Sequence, residues 1–184
     1  DVGLVRYVDR AGRDTQGHFL NIGSFGLSAL AADLVNRSSK VLGGRMSYLV
    51  GALRAIAAYR CAEISVWVDG EPLHDGPVVL GAVANGRCFG GGMRVAPHAR
   101  MDDGWLDIVI VGELTKARLV RHLPSIYRGT HLAYPEVSHR RGRCVEVRAE
   151  PGRVLMEVDG EARGTLPARF EILPGALELL GAAP

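Results

Sequence analysis

A mainly β chain with a few helices, of α+β class and folded as an antiparallel, two-layer β-sandwich-like domain, is the fold the sequence predicts. Three observations predict it. Segments with apolar residues at a period of two recur along the chain. Turn-forming clusters such as Asp69-Gly70-Glu71-Pro72 separate them. Helical periodicity is confined to three stretches that do not alternate with strands as βαβ units would.

In chain order, Gly3 to Val8 and His18 to Ile22 read as a hairpin around the turn-forming run Asp9-Arg10-Ala11-Gly12-Arg13-Asp14. Leu27, Leu30, Ala31 and Leu34 recur at three- and four-residue steps, which predicts a helix over Leu27 to Val35. A second helix runs from Met46 through Leu49, Val50, Leu53 and Ile56 to Tyr59, beyond a loop at Ser38-Ser39 and Gly43-Gly44. Ile64, Val66 and Val68 then alternate as a strand, and Pro77 to Ala84 returns after the Asp69-Gly70 turn. Further strands are expected at Trp105 to Val111, Cys144 to Arg148, Val154 to Val158 and Ala168 to Ile172. A third helix over Thr115 to Tyr127 is capped by Thr115.

With 184 residues, the chain fits one domain spanning 1–184, long enough to bury well over half of its unfolded surface. Its 47% hydrophobic and 23% charged residues are in the usual globular balance. The apolar runs, Val78 to Ala84 among them, fall short of the ~20 residues a membrane helix needs. The first residues carry no signal-peptide pattern, so a cytoplasmic location is expected. Cys61, Cys88 and Cys144 are odd in number and widely spaced, which fits neither a disulfide framework nor a zinc site. The net charge of +2 is small, but Arg118, Arg121, Arg128, Arg140, Arg141 and Arg143 cluster, which points to an anionic surface or ligand. Aromatic residues are scarce around them, so a nucleic-acid partner is not expected.

Three stretches could carry chemistry. Gly90-Gly91-Gly92 costs conformational entropy, as glycines do where the backbone turns with positive φ or something approaches closely; no Lys-Ser/Thr follows to make a phosphate loop of it. Asp102-Asp103-Gly104 sets two carboxylates before a strand, a loop able to offer Mg²⁺ both carboxylate and carbonyl oxygens, and equally an ordinary Asp-Gly turn. Asp159 and Glu161 lie two residues apart at a strand end, where repulsion and partial burial can raise one pKa and make a general base. The same Val-Asp-Gly-Glu string occurs at 68–71, so the string alone does not mark a catalytic turn.

Read in order, five segments resemble the C-terminal domain of the bacterial diacylglycerol kinase and sphingosine kinase-like lipid kinases, within the NAD kinase-like superfamily. They are Phe19-Leu20-Asn21-Ile22-Gly23-Ser24-Phe25-Gly26, then Asn85 with Gly90-Gly91-Gly92-Met93 and Ala96-Pro97-His98, then Asp102-Asp103-Gly104-Trp105-Leu106-Asp107, Asp159-Gly160-Glu161, and Leu173-Pro174-Gly175. The resemblance implies a lipid-side domain packed against an N-terminal domain, with ATP and the active site in the cleft between them. It implies Mg²⁺ on the Asp103 side chain and the main-chain oxygens of Arg100 and Trp105. It also implies Glu161 as proton acceptor assisted by Asp159, with Asn21, Gly26, Asn85 and Gly90 to Gly92 near the cleft.

The reaction expected is transfer of a phosphoryl group from ATP to a lipid hydroxyl, most simply diacylglycerol to phosphatidic acid. The family's Gly-Gly-Asp-Gly phosphate-binding motif does not occur in these residues, so the chain is expected to be inert alone and to be part of a longer enzyme. Peripheral contact with the anionic inner face of the membrane, through Arg140, Arg141 and Arg143, and a homodimer are allowed for. The rival readings are a sphingoid or isoprenoid alcohol kinase, an NAD kinase relative, and a non-catalytic lipid-binding module.

Overall fold

The computed structural model describes residues 1–37, 51 and 53–178. Ten strands are present among them: β1 (Val2–Asp9), β2 (Asp14–Phe19), β3 (Ile22–Gly26), β4 (Ala62–Val68), β5 (Glu71–Ala84), β6 (Leu106–Gly112), β7 (Val137–Gly142), β8 (Cys144–Ala149), β9 (Leu155–Val158) and β10 (Glu161–Leu173). Two helices accompany them, α1 (Leu27–Arg37) and α2 (Lys116–Arg128), with a short 3₁₀ turn at His131–Ala133 and a helical stretch over 53–58. The expected α+β, antiparallel sandwich-like architecture is what forms, and every strand pairing is antiparallel.

The sheet closes because its two longest strands serve more than one neighbour. One edge of β10 is taken by β1; the other carries β9 at Glu161–Thr165 and β8 at Ala168–Glu171. Along β5, β4 pairs up to Val78 and β3 from Leu80 onward, while β6 takes the opposite edge. β4–β8 and β3–β9 complete the ring, and the β1–β2 and β6–β7 pairs extend it.

Inside the ring lies the main core, built from residues such as Val5, Ile64, Val66, Ile108, Ile110, Met156 and Phe170. A second core covers the outer face of β3, β5 and β6, where Ile22, Ala82, Val109 and Val111 meet the 85–99 loop and Leu119 of α2. Strand β6 is therefore buried on both faces, which is why its sequence is a nearly unbroken apolar run. Three phenylalanines seat the ring's layers. Phe19 lies over Gly3, Phe25 over Gly81 and Phe170 over Gly23, each so close that a Cβ on the glycine would fall inside the aromatic ring's envelope.

Several boundaries differ from expectation for physical reasons. The segment His18 to Ile22 is two strands that meet at a corner, not one, because the amides of Leu20, Asn21 and Ile22 are all turned toward Asp159. β7, of sequence Val-Ser-His-Arg-Arg-Gly, is an edge strand bonded only to β6, so its exposed side chains give no apolar alternation to read. β5 and β10 begin earlier than Pro77 and Ala168, since their first halves are half-exposed. The helix expected from Met46 to Tyr59 forms where it is described, at 51 and 53–58, and its remaining positions up to 52 lie outside the described residues, as do the Ser38-Ser39 and Gly43-Gly44 loops. Helix α2 starts where expected, with Thr115 accepting the Arg118 amide and Gly129 closing it at φ 73°.

Replacing Gly81 with alanine is expected to destabilise the fold by about 1–3 kcal/mol, the usual cost of an overpacked core. Adding Phe25→Leu should return part of that loss, so a urea double-mutant cycle should show coupling; additive losses would show that the ring does not rest on the glycine.

Candidate functional site

Six strand ends meet at one rim of the ring: the ends of β2, β5 and β9 and the starts of β3, β6 and β10. The β9–β10 hairpin turns on two residues, Asp159 at φ 49° and Gly160 at φ 86°, left-handed values that two-residue hairpins need and that Asp tolerates better than most side chains. The Asp159 carboxylate accepts the main-chain N–H groups of Leu20 at 2.8 Å, Asn21 at 3.1 Å and Ile22 at 2.9 Å.

The repeated string at 68–71 is built alike. Asp69 has φ 51°, Gly70 has φ 84°, and the Asp69 carboxylate accepts the amides of Arg143 at 3.0 Å and Cys144 at 2.8 Å. Each aspartate thus fastens the start of a neighbouring strand, β3 in one case and β8 in the other. The Asp159 oxygens accept main-chain amides and clamp the corner at Leu20 to Ile22.

The carboxyl that burial tunes at this turn is Glu157, which sequence reading passed over. Its side chain is 2% exposed. Ser24 Oγ lies 2.5 Å from Glu157 Oε1, and Gly160 N–H donates to Oε2 at 2.5 Å. Ser24 is in turn 2.7 Å from Ser28 Oγ at the start of α1. Desolvation pushes the Glu157 carboxyl up to about 7, against the lowering by Ser24 and the Gly160 amide and with a further push from Asp159. Its only sequence signal is one glutamate in Leu-Met-Glu-Val, a strand buried almost throughout. Ser28 is the one polar side chain among those lining a partly open apolar cavity between α1, β5 and α2, whose other walls include Ala31, Ile56, Leu80, Met93 and Leu123. Glu161 behaves differently. It is exposed and ion-paired with Arg163 at 2.5 Å.

From the acidic turn a continuous set of hydrogen bonds runs to the Asp103 loop. Asn21 O accepts the amides of Asn85 and Gly86, and Asn21 Nδ2 donates to Cys88 O at 3.0 Å, at the base of the glycine loop. Asn85 is fully buried; its Nδ2 donates to the carbonyls of Leu20 and Asp1. The Asp1 carboxylate then accepts the amides of Gly104 at 2.7 Å and Gly175 at 2.8 Å. Asn21, Asn85, Asp103 and Glu161 therefore share one rim. Gly90, Gly91 and Gly92 form a tight turn with positive φ between Phe89 and Met93. Gly26 does not join the rim: it sits at the other end of β3, where its missing side chain makes room for the Val79 carbonyl and the Tyr59 hydroxyl.

At the Asp103 loop, Trp105 N–H donates to Asp103 Oδ1 at 3.2 Å and the Arg141 guanidinium pairs with Oδ2. Arg141 Nε is 3.7 Å from Asp107 Oδ2, a buried oxygen with no hydrogen-bond partner, and burial pushes the Asp107 carboxyl up. The guanidinium groups of Arg141 and Arg143 lie 5.7 and 4.7 Å from the Trp105 ring centre. Asp102 points outward to Arg100. The donor set of one carboxylate, a second with an orphaned oxygen and nearby carbonyls has the hard-oxygen chemistry that suits Mg²⁺. Because Arg141 already neutralises Asp103, an ion must exchange with that guanidinium. No cluster of three or more His, Cys, Asp or Glu side chains able to hold a metal occurs among the described residues.

Comparison with known proteins matches residues 21–181 to the family described as the YegS C-terminal NAD kinase beta sandwich-like domain. A diacylglycerol kinase of Mycobacterium tuberculosis is 31% identical over 162 residues, covering 88% of this chain and 52% of that protein. A diacylglycerol kinase of Bacillus subtilis is 26% identical over 169 residues, covering 91% and 54%. The chain spans about half the length of these curated relatives. A solved structure from Bacillus anthracis superposes with a TM-score of 0.62 at 23% identity, over 95% of this chain and 55% of that one, a likeness of fold.

Glu157 gives the site a pH signature. Its folded pKa lies near 7, above the ordinary 4.5, so the stability it allows is complete below about pH 4.5 and is lost as the pH rises through 7. The loss is on the order of 3 kcal/mol. Glu157→Gln should flatten that part of the profile; urea titrations from pH 5 to 8.5 giving parallel curves for both proteins would contradict it.

Proposed function

The chain belongs to the family of YegS C-terminal NAD kinase beta sandwich-like domains, and from that premise we propose that it is the lipid-side part of an ATP-dependent lipid kinase. The reaction we propose is phosphorylation of diacylglycerol to phosphatidic acid. The observation that carries this reading is the hydrogen-bonded rim that holds Glu161 and the Asp103 loop on one edge of the ring. An apolar pocket lies between α1, β5 and α2, lined by Leu27, Leu80, Leu119 and Leu123, and its surface chemistry matches a lipid chain. The names of the Mycobacterium tuberculosis and Bacillus subtilis relatives support the substrate.

In the proposed mechanism Glu161 releases Arg163 and takes the proton from the lipid hydroxyl. The hydroxyl oxygen then attacks the γ-phosphorus, and the bond from that phosphorus to the ADP oxygen breaks. Asp159 contributes by clamping the corner at Leu20 to Ile22, and Glu157 by holding the Gly160 amide, so that the exposed carboxylate is presented from a rigid turn. Mg²⁺ would be held by the Asp103 side chain and the main-chain oxygens of Arg100 and Trp105, supplying positive charge that fixes the loop. The nucleotide is assigned to a preceding domain, since these residues hold no Gly-Gly-Asp-Gly segment, and the chain alone is read as inactive.

In the longer enzyme, Glu161→Gln should lower kcat on diacylglycerol by about 10²-fold or more with an unchanged melting temperature. Near-normal turnover, or a substrate panel in which a sphingoid alcohol outpaces diacylglycerol, would overturn the assignment. For the metal, Mg²⁺ should raise the melting temperature of the chain, Asp103→Ala should abolish the rise, and Arg141→Ala should enlarge it by removing the competing cation. An identical shift in all three proteins would rule out the loop as the site.

A further inference from the structure

We propose that the outward face of α2 is a docking surface for an anionic lipid bilayer. The inference deepens the lipid-kinase reading and rests on it for its biological sense. An ordinary surface helix turns one apolar stripe to the core and charges of both signs to water. Helix α2 departs from this in two ways. Its inner residues Leu119, Leu123 and Ile126 line the apolar cavity, as they should. Its outer face, however, carries Val120 at 47% and Tyr127 at 41% exposure, either side of exposed Pro124. The helix also contains no acidic residue at all.

Its cations divide by position. Lys116 donates to the Ala57 carbonyl and Arg118 pairs with Glu136, both near the amino end. Arg121 and Arg128, seven residues apart and so in line with each other, run beside the stripe of Val120, Pro124 and Tyr127 and make no ion pair among the described residues. Two unpaired guanidinium groups flanking exposed aliphatic and phenolic side chains match a bilayer surface. There, phosphate groups take the charge, and the headgroup boundary takes the apolar tips and the amphipathic phenol ring.

The basic run on β7 is less free to serve this contact. Arg141 is committed to Asp103, and both Arg141 and Arg143 lie against Trp105. Of the three arginines expected to meet the membrane, only Arg140 has no such partner, so the contact passes from β7 to α2. The placement has a further merit: the helix that faces the bilayer is also a wall of the cavity, which gives a lipid chain a short path from one to the other.

Sedimentation of the chain with vesicles tests the surface without any turnover. Vesicles of phosphatidylcholine mixed with phosphatidylglycerol should carry the protein down, those of phosphatidylcholine alone should not, and raised salt should release it. Arg121→Ala with Arg128→Ala should weaken binding about 25-fold, roughly fivefold for each arginine. Val120→Asp should weaken it further and Arg140→Ala should leave it unchanged. Tyr127→Trp should give an emission that shifts to the blue on binding, and thermal melts check that each variant folds. Three results would overturn the proposal: equal binding to neutral vesicles, binding that the double variant retains, or a preference for a single-stranded oligonucleotide over anionic vesicles. An inactive parent enzyme whose chain still binds through α2 would sink the kinase reading and leave this surface standing; an active parent indifferent to α2 would do the reverse.

Discussion

A strand has two edges and β10 has three partners, and most of the architecture follows from that mismatch. Each residue can bond one neighbour per edge, so β9 and β8 must succeed each other along β10. β3 and β4 do the same along β5. The hand-over coincides with register shifts, between Thr165 and Ala168 where β10 faces Tyr7 and Val8, and between Val78 and Leu80 in β5, and it closes the sheet on a single core. It also brings the inner strands to a stop at one level. The rim with Asn21, Asn85 and the acidic turn is the set of loops left where those strands end, which is where side chains can be displayed on a rigid frame.

Four carboxylates near that rim have been given four different environments. Asp159 is held by three main-chain amides, Glu157 is sealed in with two hydroxyls, Glu161 stands in solvent beside Arg163, and Asp103 faces a guanidinium. Residue type alone could not have assigned these roles. Separation of like groups by burial and partner is how one turn can contain both a fastening carboxylate and a solvent-facing one. The second Val-Asp-Gly-Glu turn has the fastening without the rest: the position two residues before its aspartate is Trp67, where the other has Glu157.

The sequence makes the frame legible wherever burial is regular. Ile64, Val66 and Val68 alternate because one face of β4 enters the core, and the long apolar run of β6 follows from cover on both sides. Thr115 is legible as a cap because a hydroxyl at that place has one local use. What sequence hides are elements whose reason lies far along the chain. β7 is a strand only because β6 offers it an edge. The corner at Leu20 is bent by a carboxylate 139 positions away. Asn21, Asn85, Asp103 and Glu161 were placed together by resemblance, and they do share a rim. Gly26 was grouped with them and instead serves the packing of Tyr59 against β3. Glu157 was invisible because nothing nearby in sequence announces that Ser24 will lie beneath it.

The rings seated on glycines have a consequence for how this fold can drift. Phe25 and Gly81, Phe19 and Gly3, and Phe170 and Gly23 each share one volume, so neither member of a pair can change size without the other. Viable histories through sequence space must therefore cross each of these pairs by linked substitutions, with the ring shrinking before or as the glycine grows. Descendants that keep a phenylalanine at one address should be found keeping the empty position opposite. Those six sites would then be inherited as three units, whatever chemistry the rim has come to perform.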